Sequence, residues 1–289
     1  MKVVKITDGL GNQIFQYAFA RKMQIDTDRA VYLDTRFINN EDAVIRKEDN
    51  YKNKMNGFRH YGLDKFKIKL KSADDQELRY WQYLSASGVL QHEIYTMAQK
   101  GMWPWRYYDE DFTQVNKSTL FPAYYKGYFF NLNYYDDIRD VLQKEIVLKN
   151  KIHLPEVLKN SLKNENTVSL HVRRGDFIRL HIDISRNEYY PNAISLMESK
   201  LTKPTYFVFS DDIEWVKSNL KLSGKVIYVS DMGFQDYEEL MIMKHCKHNI
   251  IANSTFSYWA AYLNSNPDKI VICPHNWKIN IIPKDWIRL

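Results

Sequence analysis

The sequence predicts an α/β protein with a parallel, doubly wound sheet in its C-terminal half, on three observations. Short apolar runs at residues 168–172, 206–210, 226–229, 250–252 and 270–273 alternate with amphipathic stretches near 190–201, 214–220, 238–245 and 256–263. That is the rhythm of strands and crossover helices. Polar side chains gather directly after several of the apolar runs, where ligands bind in such sheets. The chain also opens on a strand, loop and helix of the same kind.

Taken in order, residues 3–6 form the first strand, 7–11 a tight loop and 12–25 a helix. Ile14, Tyr17, Ala18, Arg21 and Ile25 give that helix a buried stripe. A second strand is expected at 30–33, a helix at 74–85, a strand at 123–129 and a helix at 134–145. The polar stretch 150–166, with Pro155, is the expected domain junction.

Composition sets the class. With 45% hydrophobic and 26% charged residues over 289 positions, the chain is globular and long enough for two domains. No stretch approaches ~18 uninterrupted apolar residues, so no membrane-spanning helix is expected. Met1-Lys2-Val3-Val4-Lys5-Ile6 is charged too early for a signal peptide and reads as a strand. The two cysteines, Cys246 and Cys273, make neither a metal spacing nor a disulfide framework, which fits a reducing cytoplasm. The net charge of +6 gathers partly between Arg46 and Lys71, at Lys47, Lys52, Lys54, Arg59, Lys65, Lys67 and Lys69. This cluster follows no nucleic-acid motif. It reads as a solvated face or as attraction to anionic lipid.

Four stretches carry chemistry. His171-Val172-Arg173-Arg174-Gly175-Asp176 follows a buried strand. Adjacent guanidiniums there act either as a pyrophosphate clamp or as an ion pair satisfied by carboxylates such as Asp176. Asp8-Gly9-Leu10-Gly11-Asn12-Gln13 is a glycine-containing turn into a helix, open to anions, yet Ile14 takes the third glycine's place in the dinucleotide fingerprint. Ser210-Asp211-Asp212 ends a strand in two carboxylates, for guanine, ribose or a helix cap. Asn253-Ser254-Thr255-Phe256-Ser257 brings hydroxyls and open amides to a helix start, a seat for phosphate.

These stretches, extended to Ala18 and Ala260 and joined by Trp215, occur in order and resemble glycosyltransferase family 11, the α-1,2-fucosyltransferases in their bacterial, soluble form. The resemblance runs nearly end to end. It implies two Rossmann-like domains facing a cleft (the GT-B arrangement), an acceptor-side domain over 1–155 and a GDP-fucose-binding domain over 156–289 with a C-terminal tail. It implies an inverting, metal-independent transfer of L-fucose from GDP-β-L-fucose to the 2-hydroxyl of a galactose. Arg173 would hold the β-phosphate and stabilise departing GDP, with Asn12 touching fucose or phosphate as the second catalytic residue. His171 and one of Asp211 or Asp212 would read guanine or ribose. Ser254, Thr255 and Ser257 would seat the pyrophosphate, and Gly11, Arg174, Asn253 and Phe256 complete the donor set. Asp176 would brace the arginines, and neither cofactor nor metal is expected. Tyr258, where the family pattern has Trp, and residues 178–186 depart from it and bear on acceptor choice.

The expected partners are GDP-fucose and a galactose-terminated oligosaccharide, free or lipid-linked. Peripheral contact with the inner face of the cytoplasmic membrane is expected, and nucleic acid is not. No general base stands out; Asp8 and Glu188 flank the motifs. Three rival readings remain. One is a fucosyltransferase of α-1,6 or α-1,3 linkage. Another is a metal-dependent enzyme using D-x-D at Asp109-Glu110-Asp111 or Asp26-Thr27-Asp28. The last is a non-catalytic glycan-binding or nucleic-acid-binding module.

Overall fold

The computed structural model describes residues 1–39, 60–79, 81, 97, 106–111, 114–164 and 166–289. It divides into two compact units, Met1–Ile146 and Val147–Leu289. Arg46, Lys47, Lys52, Lys54 and Arg59 of the basic cluster lie outside the described residues.

In the first unit, β1 (Lys2–Lys5) leads into α1 (Leu10–Thr27), β2 (Val31–Asp34) and the helical turn α2 (Arg36–Asn39). After α3 (Asp75–Leu78) come β3 (Arg106–Asp109), β4 (Ala123–Lys126) and α4 (Arg139–Glu145). Four strands in the order β2-β1-β4-β3 form a sheet whose pairings are all parallel. Helix α1 starts two residues earlier than expected, because Gly9 takes an extended cap conformation after Asp8 turns into the left-handed region at φ 66°. It is buried on most sides rather than along one stripe, and Ile25 is exposed. Buried Gln13 and Gln16 are tolerated because their amides bond backbone groups. Gln13 donates to Asp8 O and accepts from Gly62 N, and Gln16 accepts from Thr7 N.

The second unit runs α5 (Glu156–Ser161), β5 (Thr167–Val172), α6 (Gly175–Arg179), α7 (Tyr189–Lys200), β6 (Thr205–Ser210) and α8 (Ile213–Asn219). It continues through β7 (Lys225–Tyr228), α9 (Asp236–His245), β8 (His248–Ile250), α10 (Thr255–Leu263), β9 (Val271–Cys273) and β10 (Ile287–Arg288). The sheet order is β10-β9-β8-β5-β6-β7, all parallel. Counted within the unit this is 6-5-4-1-2-3, the doubly wound order expected. Strand β5 is buried at all six positions, which is why it reads as an unbroken apolar run. One face packs Leu170, Tyr190, Ile194, Met197 and Val208; the other packs Phe207, Phe209, Ile242 and Met243.

Several boundaries differ from the sequence expectation. The 134–145 helix is two 3-10 turns followed by α4, and the strand at 123–129 stops at Lys126. Strands β3 and β10 and helices α5 and α6 were not expected. Of the helix expected at 74–85, α3 falls within the described residues, opened by a capping box in which Asp74 accepts from Glu77 N and Glu77 reaches back to Asp74 N.

Candidate functional site

The winding direction of the second sheet changes between β5 and β8. A crevice opens outside the strand ends at such a switch, and the Arg pair follows β5 directly. The two arginines have different surroundings. Arg174 is 4% exposed. Its Nε donates to Asp212 Oδ2 at 2.9 Å, its Nη1 to Ser185 Oγ, and its Nη1 lies 3.6 Å from Asp183. The guanidinium also sits 4.1 Å over the Trp215 ring. These partners make Arg174 an internal strut that ties the β6 end to the 183–185 loop. Its expected place among donor-binding residues becomes an indirect one.

Arg173 keeps an open side. Its guanidinium meets buried Asp176 at 2.6 Å and Asp211 at 3.1 Å, with the side chain 24% exposed. Asp211 is itself held, accepting from Arg174 N at 2.8 Å. Its carboxylate lies over Gly175, where an added Cβ would come within 2.5 Å of Asp211 Oδ2. Glycine is therefore required there for packing. Asp212 accepts from Trp215 N and caps α8. Carboxylates satisfy the Arg pair, and the Arg173 side chain remains partly exposed at the strand end.

His171 is buried beside them, 5.7 Å from the Phe256 ring. Burial, and secondarily the charge of Arg173, pushes its imidazole down to about 3. The ring is neutral at physiological pH, and its Nδ1 is buried without a hydrogen-bond partner. At the end of β8, Asn253 donates to Ile182 O at 2.7 Å while its Oδ1 is likewise buried and unpartnered. Orphaned polar atoms are costly. Two of them lie close together in the chain's topology, His171 near the end of β5 and Asn253 after β8, the strands that flank the switch.

The hydroxyl-rich turn is partly used internally. Ser254 Oγ accepts from Phe256 N and caps α10, and Ser257 Oγ accepts from Ala252 N. Thr255 opens the helix half-exposed. In the first unit, Gly11 and Asn12 occupy the first turn of α1. Asp8 is buried and its carboxylate accepts from Tyr128 OH at 2.7 Å; Glu188 is exposed ahead of α7.

Carboxylates of both D-x-D segments have protein partners. Asp109 Oδ2 meets Lys126 Nζ at 2.9 Å, and Glu110 accepts from Tyr128 N and Phe129 N at 3.0 and 2.6 Å. Asp26 pairs with Lys22 and Lys117. Among the described residues, no three His, Cys, Asp or Glu side chains are grouped to hold a metal, and no helix is long and apolar enough to cross a membrane.

Sequence reasoning missed Asp183 and Ser185 as partners of Arg174, because a loop pairing has no spacing signature.

Two bacterial relatives are similar to the chain over nearly its whole length. The O-antigen biosynthesis glycosyltransferase WbnK of Escherichia coli is 31% identical over 310 residues, covering 98% of this chain and 99% of that protein. The alpha-1,2-colitosyltransferase of Escherichia coli is 27% identical over 310 residues, covering 99% and 98%. The galactoside 2-alpha-L-fucosyltransferase Sec1 of Mus musculus is 24% identical over 176 residues, covering 55% of this chain and 48% of that protein. Residues 1–281 match the family described as Glycosyl transferase family 11, and the chain, a glycosyltransferase, belongs to that family.

Proposed function

We propose that the protein transfers L-fucose from GDP-β-L-fucose to the 2-hydroxyl of a terminal galactose, with inversion and without a metal ion. The carrying observation is Arg173, a guanidinium aligned by Asp176 and Asp211 at a topological switch and open on one side. Departing GDP gathers negative charge on its β-phosphate, and a preorganised donor at that point lowers the barrier. Arg173 supplies that charge, and the first turn of α10 beyond Ser254 and Thr255 adds backbone N–H groups. His171, neutral, and Asn253 offer their unpartnered atoms to the nucleotide or sugar. Gly11 and Asn12 of the first unit serve the sugar side. The α-1,2 linkage is supported by relatives that carry it in their names.

A colitosyl donor is the second reading, favoured by the full-length similarity to the alpha-1,2-colitosyltransferase. An O-antigen-type oligosaccharide, free or lipid-linked, is the acceptor class, drawn from the similarity to WbnK, and a lipid-linked acceptor would favour work at the cytoplasmic face of the membrane.

The test is GDP release from GDP-fucose with lactose or N-acetyllactosamine, in excess EDTA, with NMR of the product. A new α-1,2 link to galactose is the expected result. Turnover that stops with EDTA and returns with Mn²⁺ overturns the metal-free mechanism, and turnover with the GDP-activated colitose alone selects the second reading.

A further inference from the structure

In the first unit, Phe129 takes a left-handed φ of 58°, a conformation that costs a bulky residue on the order of 1–3 kcal/mol. The kink buries the Phe129 ring, stacked on Phe19 with 3.8 Å between centroids. Its two neighbours come together on the other side of the chain. Tyr128 and Phe130 lie ring on ring, 5.1 Å apart and 9° from parallel, and Tyr128 is 38% exposed. Tyr128 is held at both ends. Its N–H donates to Glu110 Oε2 at 3.0 Å, after β3, and its hydroxyl donates to Asp8 Oδ2 at 2.7 Å, after β1. Buried Gln16 ties the same loops, accepting from Thr7 N at 2.9 Å and donating to Gly127 O at 3.1 Å. The ring therefore stands outside the carboxyl ends of β1 and β4, the two central strands, where parallel sheets take ligands. Strain spent on a fixed, solvent-facing aromatic is a mark of a binding surface.

Resting on the galactose-acceptor reading above, we propose that Tyr128 is the specificity-determining residue for the acceptor's terminal sugar, a platform on which the apolar face of a galactopyranose stacks. The hydroxyl oxygen of Tyr128 keeps a lone pair for a sugar O–H while its own proton stays on Asp8. Galactose carries its 4-hydroxyl axially on one face, which leaves the C–H bonds of carbons 3, 4 and 5 together on the other. Glucose has the same hydroxyl equatorial, and its C–H bonds alternate between the two faces. A flat ring covers the continuous apolar patch of the first and gains less from the second. Because the platform is already fixed, little side-chain freedom is lost when the sugar lands.

The experiment is a saturation-transfer NMR titration of the full-length protein with methyl β-D-galactopyranoside and methyl β-D-glucopyranoside, beside a calorimetric titration with GDP. The wild type is expected to prefer the galactoside, with the strongest transfer to the protons on carbons 3, 4 and 5. In Tyr128→Ala, galactoside affinity falls roughly 3- to 10-fold, the scale of one aromatic stacking contact, and the preference over the glucoside collapses. Tyr128→Phe keeps the flat ring and most of both. Tyr128→Leu keeps apolar bulk without a flat face, behaves like Tyr128→Ala and stands in should that variant fail to fold. GDP affinity is unchanged throughout. A folded Tyr128→Ala protein with wild-type galactoside affinity and preference overturns the proposal and leaves the galactose-acceptor reading standing. A wild type that binds GDP but neither glycoside overturns both. Galactoside binding that depends on Tyr128 in a protein that does not bind GDP supports the platform and overturns the donor reading instead.

Discussion

Arg173 and Arg174 are neighbours in sequence with opposite duties, and the difference is measurable. Arg173 touches two carboxylates and solvent; Arg174 is 4% exposed and enclosed by Asp183, Ser185, Asp212 and Trp215. Arg173→Ala is expected to lower kcat at least ~100-fold, a loss to be read in protein shown to be folded, because buried Asp176 also loses its cation. Arg174→Ala leaves half-buried Asp183 and half-exposed Asp212 without their cation. Breaking such a pair costs up to ~3 kcal/mol, so its first symptom in urea unfolding is a lower midpoint. Near-normal turnover in folded Arg173→Ala protein removes it from the mechanism. His171 adds a pH signature. Its folded value is held near 3, below the ~6.5 of an unfolded chain. The unfolded state therefore binds the proton more readily, and the stability His171 contributes is lost as pH falls from about 6.5 towards 3. His171→Gln is expected to flatten the dependence of the urea midpoint on pH across that window; an unchanged slope there means that the imidazole is not the buried neutral group described. That Arg173, His171 and Asn253 gather at strand ends was legible from the motifs. How each is spent was not, because partners such as Ser185 and Asp183 come from a loop with no periodicity.

At the scale of elements, strands β5 to β9 and helices α7 to α10 sit within one to two residues of where alternating apolar runs put them. Burial on both faces makes parallel strands unambiguous in sequence. Short elements were illegible for the same reason in reverse: α6 spans five residues and β10 two, too few for a period to show. Yet α6 is the element that turns the Arg motif over Asp211, and its glycine allows it. Gly175→Ala would place a methyl 2.5 Å from Asp211 Oδ2, and the side chain must swing away from Arg173 to make room. The expected outcome is a ten-fold or larger fall in turnover, on the order of the loss from misplacing a catalytic group by ~1 Å, with circular dichroism unchanged. Full activity in Gly175→Ala protein means Asp211 does not align Arg173. The D-x-D segment shows the limit of short patterns. Its Glu110 staples the backbone after β4, a role that spacing cannot distinguish from metal binding.

At the scale of the molecule, each unit has its own parallel sheet, and Met1–Ile146 and Val147–Leu289 each close around their own core. The second unit holds the residues proposed for the donor side: His171, Arg173, Asp211, Asn253 and the start of α10. The six strands of the doubly wound sheet lie between Thr167 and Arg288, and Arg173's carboxylate partners Asp176 and Asp211 belong to the same unit. Residues 147–289 expressed alone are therefore expected to fold and to bind GDP within about ten-fold of the full chain, a loss of ~1.4 kcal/mol or less. Transfer is a different matter, because the proposed sugar-side groups, Gly11 and Asn12, belong to α1. The isolated unit should bind donor product without releasing GDP from GDP-fucose. Measuring both with one preparation separates the two halves of the proposal. Binding without turnover assigns donor recognition to the second unit. Turnover by the isolated unit would show that the first unit contributes no group to the reaction and remove Asn12 from the mechanism.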